Sequence, residues 1–132
     1  MTVVIDTSVL VEILVRSEAG AKARQWLNDG VHSPDLIYPE TLSVFRRWER
    51  TGKLTRARAS QACQDLADLP IKTWAARLMV TATWRLRHNL SAYDAQYAAL
   101  ASTLSLPLIT LDTRLVRAIR TAGVCQVVSP PF

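Results

Sequence analysis

Thr2-Val3-Val4-Ile5-Asp6-Thr7-Ser8-Val9-Leu10-Val11-Glu12-Ile13-Leu14-Val15-Arg16 opens the regular structure of this chain, and its reading decides the fold. Thr2–Ile5 is short, β-branched and wholly apolar after its first residue, the pattern of a strand covered on both faces. Asp6 then interrupts it, and Thr7 to about Arg16 reads as a helix. The same alternation recurs outward from this unit. Helices are predicted over Glu18–Asp29, Asp35–Thr51, Thr55–Ala67, Ala75–His88, Ser91–Ser105 and Asp112–Ala122, with strands over Val31–Ser33, Ile71–Thr73, Pro107–Thr110 and Val124–Val128. Gly30 and Gly52 stand where helix ends need them. Short apolar strands alternating with helices imply an α/β fold with a parallel sheet covered on both faces. Ligands in such sheets bind beyond the carboxyl ends of the strands, where the strand order reverses.

The 132 residues contain no repeat and no Gly/Ser linker, so residues 1–132 are expected to form one domain. Asp6, Glu12 and Arg16 break the apolar N-terminus, which argues against a membrane span or a signal peptide and for a cytoplasmic location. Cys63 and Cys125 are too few for a disulfide framework and are expected to be free thiols. Sixteen Lys and Arg face 11 Asp and Glu, a net charge of +5. Arg46, Arg47, Arg50, Lys53, Arg56 and Arg58 crowd one segment with Glu49 as its sole acid, and Arg114, Arg117 and Arg120 recur at helical spacing. Such density attracts phosphate backbones without reading sequence, although it also suits a plain solvated surface.

Four acids stand out against this background. Asp6 and Asp112 each follow a predicted strand, at equivalent ends of the sheet. Each alone suits a helix cap; together they mark a site. Glu40 falls within an apolar helix stripe of Leu36, Ile37, Val44 and Trp48 at about 100° per residue. A buried carboxylate there needs a salt bridge to an arginine, or a metal or catalytic role. Asp94 closes the capping box Ser91-Ala92-Tyr93-Asp94, on a helix face shared with Tyr97, Ala98 and Ala101. Four carboxylates at one sheet end repel one another. A divalent cation relieves that repulsion, and oxygen-only ligands suit Mg²⁺ or Mn²⁺. The chemistry then open is attack of metal-activated water on a phosphodiester. His32 and His88 lack partner motifs for acid–base work, and Ser8 lacks a histidine base for a triad. Trp26, Trp48, Trp74 and Trp84 read as core or interface residues.

Four motifs carry a family resemblance. Val4-Ile5-Asp6-Thr7-Ser8-Val9-Leu10, Glu40-Thr41-Leu42-Ser43-Val44-Phe45-Arg46-Arg47, Ser91-Ala92-Tyr93-Asp94-Ala95-Gln96-Tyr97-Ala98-Ala99-Leu100-Ala101 and Leu108-Ile109-Thr110-Leu111-Asp112-Thr113-Arg114-Leu115 resemble the signature segments of the PIN-domain family. They occur in family order and span most of the chain, and the chain is similar in particular to the VapC-type ribonuclease toxins of type II toxin–antitoxin systems. The resemblance implies a three-layer fold with a five-stranded parallel sheet of order 3-2-1-4-5. It implies catalytic roles for Asp6, Glu40, Asp94 and Asp112, with Asp6, Asp94 and Asp112 as chief ligands of Mg²⁺ or Mn²⁺ and Ser8 and Thr110 in support. It implies an endoribonuclease acting on RNA, tRNA or ribosomal RNA included, a homodimer, and silencing by a small VapB-like antitoxin. Arg46, Arg47, Arg50 and Arg114 are the expected RNA contacts. Pro39, just before Glu40, departs from the pattern and requires a helix that starts later than Asp35 or bends there. The rival reading is a PIN-fold RNA-binding or scaffold subunit without catalysis, whose mark is a missing acid; here all four positions are filled. A receiver-type aspartyl-phosphate domain is disfavoured because Asp6-Thr7-Ser8 lacks a second acid.

Overall fold

A computed structural model describes all residues, Met1–Phe132. The elements run β1 (Val3–Ile5), α1 (Thr7–Val15), α2 (Glu18–Ala23), β2 (Val31–Pro34), α3 (Ile37–Arg50), α4 (Arg56–Asp68), β3 (Ile71–Trp74), α5 (Val80–Arg85), α6 (Ala92–Leu104), β4 (Leu108–Ile109), α7 (Thr113–Ala122) and β5 (Val127–Val128). All five strands pair in parallel, in the order β3-β2-β1-β4-β5. The chain first moves outward from β1 to β3 and then returns across β1 to β4 and β5. Right-handed crossovers therefore place α1–α4 on one face and α5–α7 on the other. The reversal falls between β1 and β4, where Val4 pairs with Leu108 and Ile5 with Ile109. That register carries Asp6 and Thr110 side by side off the strand ends.

Val3, Val4, Ile5, Leu108 and Ile109 are all buried, as expected of strands covered on both faces. Over one face α1 contributes Val9, Leu10, Ile13 and Leu14, and over the other α6 contributes Ala95, Ala98 and Leu100. No helix is long and apolar enough to cross a membrane. Cys63 and Cys125 are both free. Trp26, Trp48 and Trp74 pack partly buried against the core, whereas Trp84 stands 65% exposed and is not a core residue.

Three predicted elements are corrected. The helix read over Glu18–Asp29 ends at Ala23 and tightens into a 3₁₀ segment, Arg24–Asp29, before Gly30 at φ 100° turns the chain into β2. The helix read over Ala75–His88 is a 3₁₀ turn, Ala76–Met79, followed by the short α5, and no side chain caps either start. The helix read from Asp35 begins at Ile37, so Pro39 sits in its first turn, where its missing N–H costs nothing. No bend is needed, and the orientation of Glu40 follows from a regular helix.

Gly20 is the tightest point of the fold. A Cβ there would lie 2.1 Å from the Glu12 carbonyl oxygen and 2.7 Å from the Ile13 nitrogen, both backbone atoms. Only glycine lets α2 cross α1 this closely. Gly20→Ala is expected to destabilise the protein by about 1–3 kcal/mol, because backbone must move to admit the methyl group. Urea denaturation checks this, and an unchanged midpoint would show that the crossing has slack.

Candidate active site

Asp6 is the most buried acid of the chain, 5% exposed, at the junction of β1 and α1. It caps α1 through Oδ1, which accepts from the Val9 amide at 3.2 Å. The Ser8 hydroxyl donates to the same oxygen at 2.6 Å, and the Thr110 hydroxyl donates to Oδ2 at 2.5 Å. These two hydroxyls are held in turn: Ser8 Oγ accepts from Leu111 N at 2.9 Å and Thr110 Oγ1 from Asp112 N at 3.0 Å. The β1 and β4 ends are thus stitched together through a single carboxylate. Burial pushes the Asp6 carboxyl up to about 6, with the charge of Asp112 adding to the rise while the Ser8 and Thr110 hydrogen bonds oppose it.

Asp112 caps α7 by accepting from Arg114 N and Leu115 N. Asp94 sits in the first turn of α6, whose Ser91 cap is made to the Asp94 backbone N–H at 3.2 Å. Its side chain is therefore free of the cap that the sequence suggested for it. Burial and the facing Asp112 raise the Asp94 pKa, and Arg114 partly offsets them. One guanidinium nitrogen of Arg114 lies 3.9 Å from Asp94 and 4.0 Å from Asp112, although its side chain is 83% exposed.

Glu40 has no ion pair, so of the two roles open to it the arginine bridge is not the one taken. The Tyr97 hydroxyl donates to Glu40 Oε1 at 2.5 Å and the Thr7 hydroxyl donates to it at 3.1 Å. Burial, together with Glu40, holds the Tyr97 phenol protonated far above its ordinary range, so it remains a donor. The fully buried stripe of α3 is Ile37, Thr41 and Phe45, with Glu40 half-buried on its margin. Thr7 and Tyr97 were not singled out as partners by the sequence. Thr7 carried no such signal, whereas Tyr97, like Tyr93, reads from the sequence as a wall residue beside the pocket, on the inward face of the Asp94 helix.

The expected RNA contacts separate in space. Arg47 lines a cleft with Glu40, and Arg114 stands at Asp94 and Asp112. Arg46 and Arg50 instead line a groove between α3 and α4, with Glu49 and Cys63.

The carboxylates do not yet form a cage. No three acids converge closely enough to hold an ion between them in these side-chain positions. Their chemistry nevertheless fits a hard divalent cation. The donors are all oxygens, Asp6 and Asp94 are both raised by burial and by Asp112, and the one cation beside Asp94 and Asp112 is the exposed Arg114.

A parallel sheet with an acid at each strand end of its reversal point defines a class of fold, and comparison with known proteins places the chain within it. Residues 3–120 match the PIN domain, and the chain belongs to that family. It is similar to Ribonuclease VapC3 of Mycobacterium tuberculosis, 33% identical over 118 residues covering 88% of this chain and 86% of that protein. It is also similar to Ribonuclease VapC9 of the same species, 33% identical over 86% of this chain and 87% of that one. The solved structure of PAE2754 from Pyrobaculum aerophilum superposes with a TM-score of 0.67 over 98% of this chain and 92% of that one, at 20% identity, a likeness of fold.

Proposed function

We propose that this chain is a VapC-type endoribonuclease toxin that hydrolyses RNA phosphodiester bonds with Mg²⁺ or Mn²⁺. The observation that carries the reading is the buried Asp6, braced by Ser8 and Thr110 with Asp112 close enough to raise its pKa. Asp6, Asp94 and Asp112 would hold the cation, and Arg114 would give up its place beside the last two. When bound, the cation supplies Lewis-acid charge and an activated water for in-line attack at phosphorus. Ser8 and Thr110 keep Asp6 in one orientation. Glu40, fixed by Tyr97 and Thr7, orients the attacking water or accepts its proton. Arg47 and Arg114, with Arg46 and Arg50 on the neighbouring groove, grip phosphates flanking the scissile one. Ribonuclease VapC3 and Ribonuclease VapC9, by their names, act on RNA, which supports the same substrate here, tRNA or ribosomal RNA among the targets. Purified protein incubated with tRNA and ribosomal RNA tests this directly. Cleavage is expected in Mg²⁺ or Mn²⁺ and not in chelator; no cleavage of any RNA in metal would favour a scaffold or RNA-binding subunit.

The reading includes a cytoplasmic homodimer and a VapB-like antitoxin. Two free thiols fit a reducing compartment, and sedimentation tests the dimer. For the antitoxin, an arginine is the side chain that fits the carboxylates best, since its fork binds two of them in place of a cation. A cognate antitoxin tail is expected to compete with divalent metal and to bind more weakly when Asp94 is neutral. Titration of the tail peptide onto wild type and Asp94→Asn, with and without Mn²⁺, checks this. Equal affinity in all four conditions would place inhibition elsewhere on the protein.

A further inference from the structure

Glu40 and Arg47 line a cleft of about 450 Å³ whose apolar wall and Tyr93 have no part in the cleavage chemistry above. Leu36, Pro39 and Val44 supply its apolar wall, and Thr7 and Glu40 join it to the acids. Two further residues give it its character. Tyr93 lines it yet stands 64% exposed, a large aromatic ring left in water directly before Asp94 in the chain. Arg47 also lines it, is exposed, and makes no ion pair anywhere in the structure. Glu40 shares the cleft with Arg47 but forms no ion pair with it; its Oε1 accepts from Tyr97 and Thr7.

An apolar wall, an uncovered aromatic face and an unpaired guanidinium have one ligand chemistry in common. A flat heteroaromatic ring stacks on the tyrosine against the apolar wall, while an attached phosphate meets the arginine. We infer that this cleft holds the unstacked base of a single-stranded RNA nucleotide adjoining the scissile phosphate, with Tyr93 as its stacking platform and Arg47 on the phosphate. The inference rests on the ribonuclease reading and adds to it a position at which substrate is recognised. Bases paired in a duplex present edges rather than faces, so the cleft selects loops and unpaired ends. Every base has a face to stack, so Tyr93 contributes affinity while remaining tolerant of base identity. Unlike the rest of the expected basic surface, the cleft would therefore distinguish RNA with bases from a bare chain of phosphates.

The test compares two probes of equal length and charge: a short single-stranded RNA, and the same ribose-phosphate chain made abasic throughout. Binding is followed by fluorescence anisotropy in chelator, so nothing is cleaved. Wild type is expected to prefer the intact RNA by about tenfold, the size of a single aromatic stacking contact. Tyr93→Ala is expected to lose most of that preference while binding the abasic chain as wild type does; Tyr93→Phe should keep it. Arg47→Gln should weaken both probes alike and lower the salt slope by about one. Because Tyr93 is exposed, the Ala variant should melt with wild type, which separates lost stacking from lost fold. Preference for intact RNA that survives Tyr93→Ala overturns the inference and leaves the ribonuclease reading standing. Wild type that binds neither probe overturns the inference, while cleavage of RNA in Mg²⁺ or Mn²⁺ decides the ribonuclease reading separately. A wild-type dimer that Tyr93→Ala splits, by sedimentation, would make the cleft a self-interface and also overturn it.

Discussion

Asp94→Asn protein is expected to lose metal-dependent RNA cleavage by about a hundredfold or more, the scale on which removal of one pre-placed electrostatic group acts. Asparagine keeps the shape of the side chain. It also leaves the α6 cap intact, because Ser91 is bonded to the backbone N–H of residue 94 and not to its carboxylate. What disappears is one negative charge at the end of the sheet. That charge is held at a cost, since burial and Asp112 both disfavour it. A group kept ionised against such opposition contributes nothing to folding, so the variant should melt at or slightly above the wild-type temperature in chelator. Loss of activity without loss of stability is the signature of a ligand-binding acid. Time courses of cleavage in Mg²⁺ or Mn²⁺, beside a melting curve, decide it. Wild-type-like cleavage by Asp94→Asn would remove Asp94 from the site.

Asp6 makes the same argument through pH. Its pKa rises from 3.8 unfolded to about 6 in the native protein. Between those values the native state binds more protons than the unfolded chain, so stability falls as pH rises through that window. Above about pH 6 the full cost is present, about 3 kcal/mol for a shift of this size; below 3.8 this group imposes none. In chelator, wild type should therefore unfold more easily at pH 7 than at pH 5, and Asp6→Asn should flatten that dependence. Divalent metal should act in the opposite sense on wild type alone. At a hundred times its dissociation constant a ligand that binds only the native state adds about 2.7 kcal/mol. Denaturation midpoints at the two pH values, with and without Mn²⁺, measure both effects. A wild-type midpoint indifferent to Mn²⁺, with Asp6→Asn still the more stable protein in chelator, would mean that the cost of burying the Asp6 charge is not relieved by metal.

Much of this was legible in the chain because the relevant physics is local. Val3–Ile5 and Leu108–Ile109 are apolar runs too short for helices, and strands buried on both faces look like that wherever they occur. Asp6 and Asp112 follow such runs directly, so their place at strand ends came with the strands. Where the reading slipped, the reason was equally local and weak. Ala75–His88 and Arg24–Asp29 break into 3₁₀ turns, a choice that helix propensity along the chain does not separate from a continued helix. Arg46, Arg47 and Arg50 are one cluster in the sequence but face two different grooves on α3. Helical geometry permits that separation; only packing against α4 and α6 reveals which residue faces which.

By itself the sequence determined the class of fold and the place of Asp6 and Asp112 just beyond strand ends. Periodicity and strand-end position are properties of neighbours along the chain, and they survive without coordinates. Tertiary structure decided the partners. Thr110 meets Asp6 across 104 residues because β1 and β4 pair in a register that no local pattern encodes. Glu40 is satisfied by Thr7 and Tyr97, from two other helices, and not by any of the arginines beside it on α3. A buried carboxylate must find donors somewhere, and that requirement can be read from one helix. Which donors it finds depends on where the sheet places the other elements, and only the folded chain specifies that.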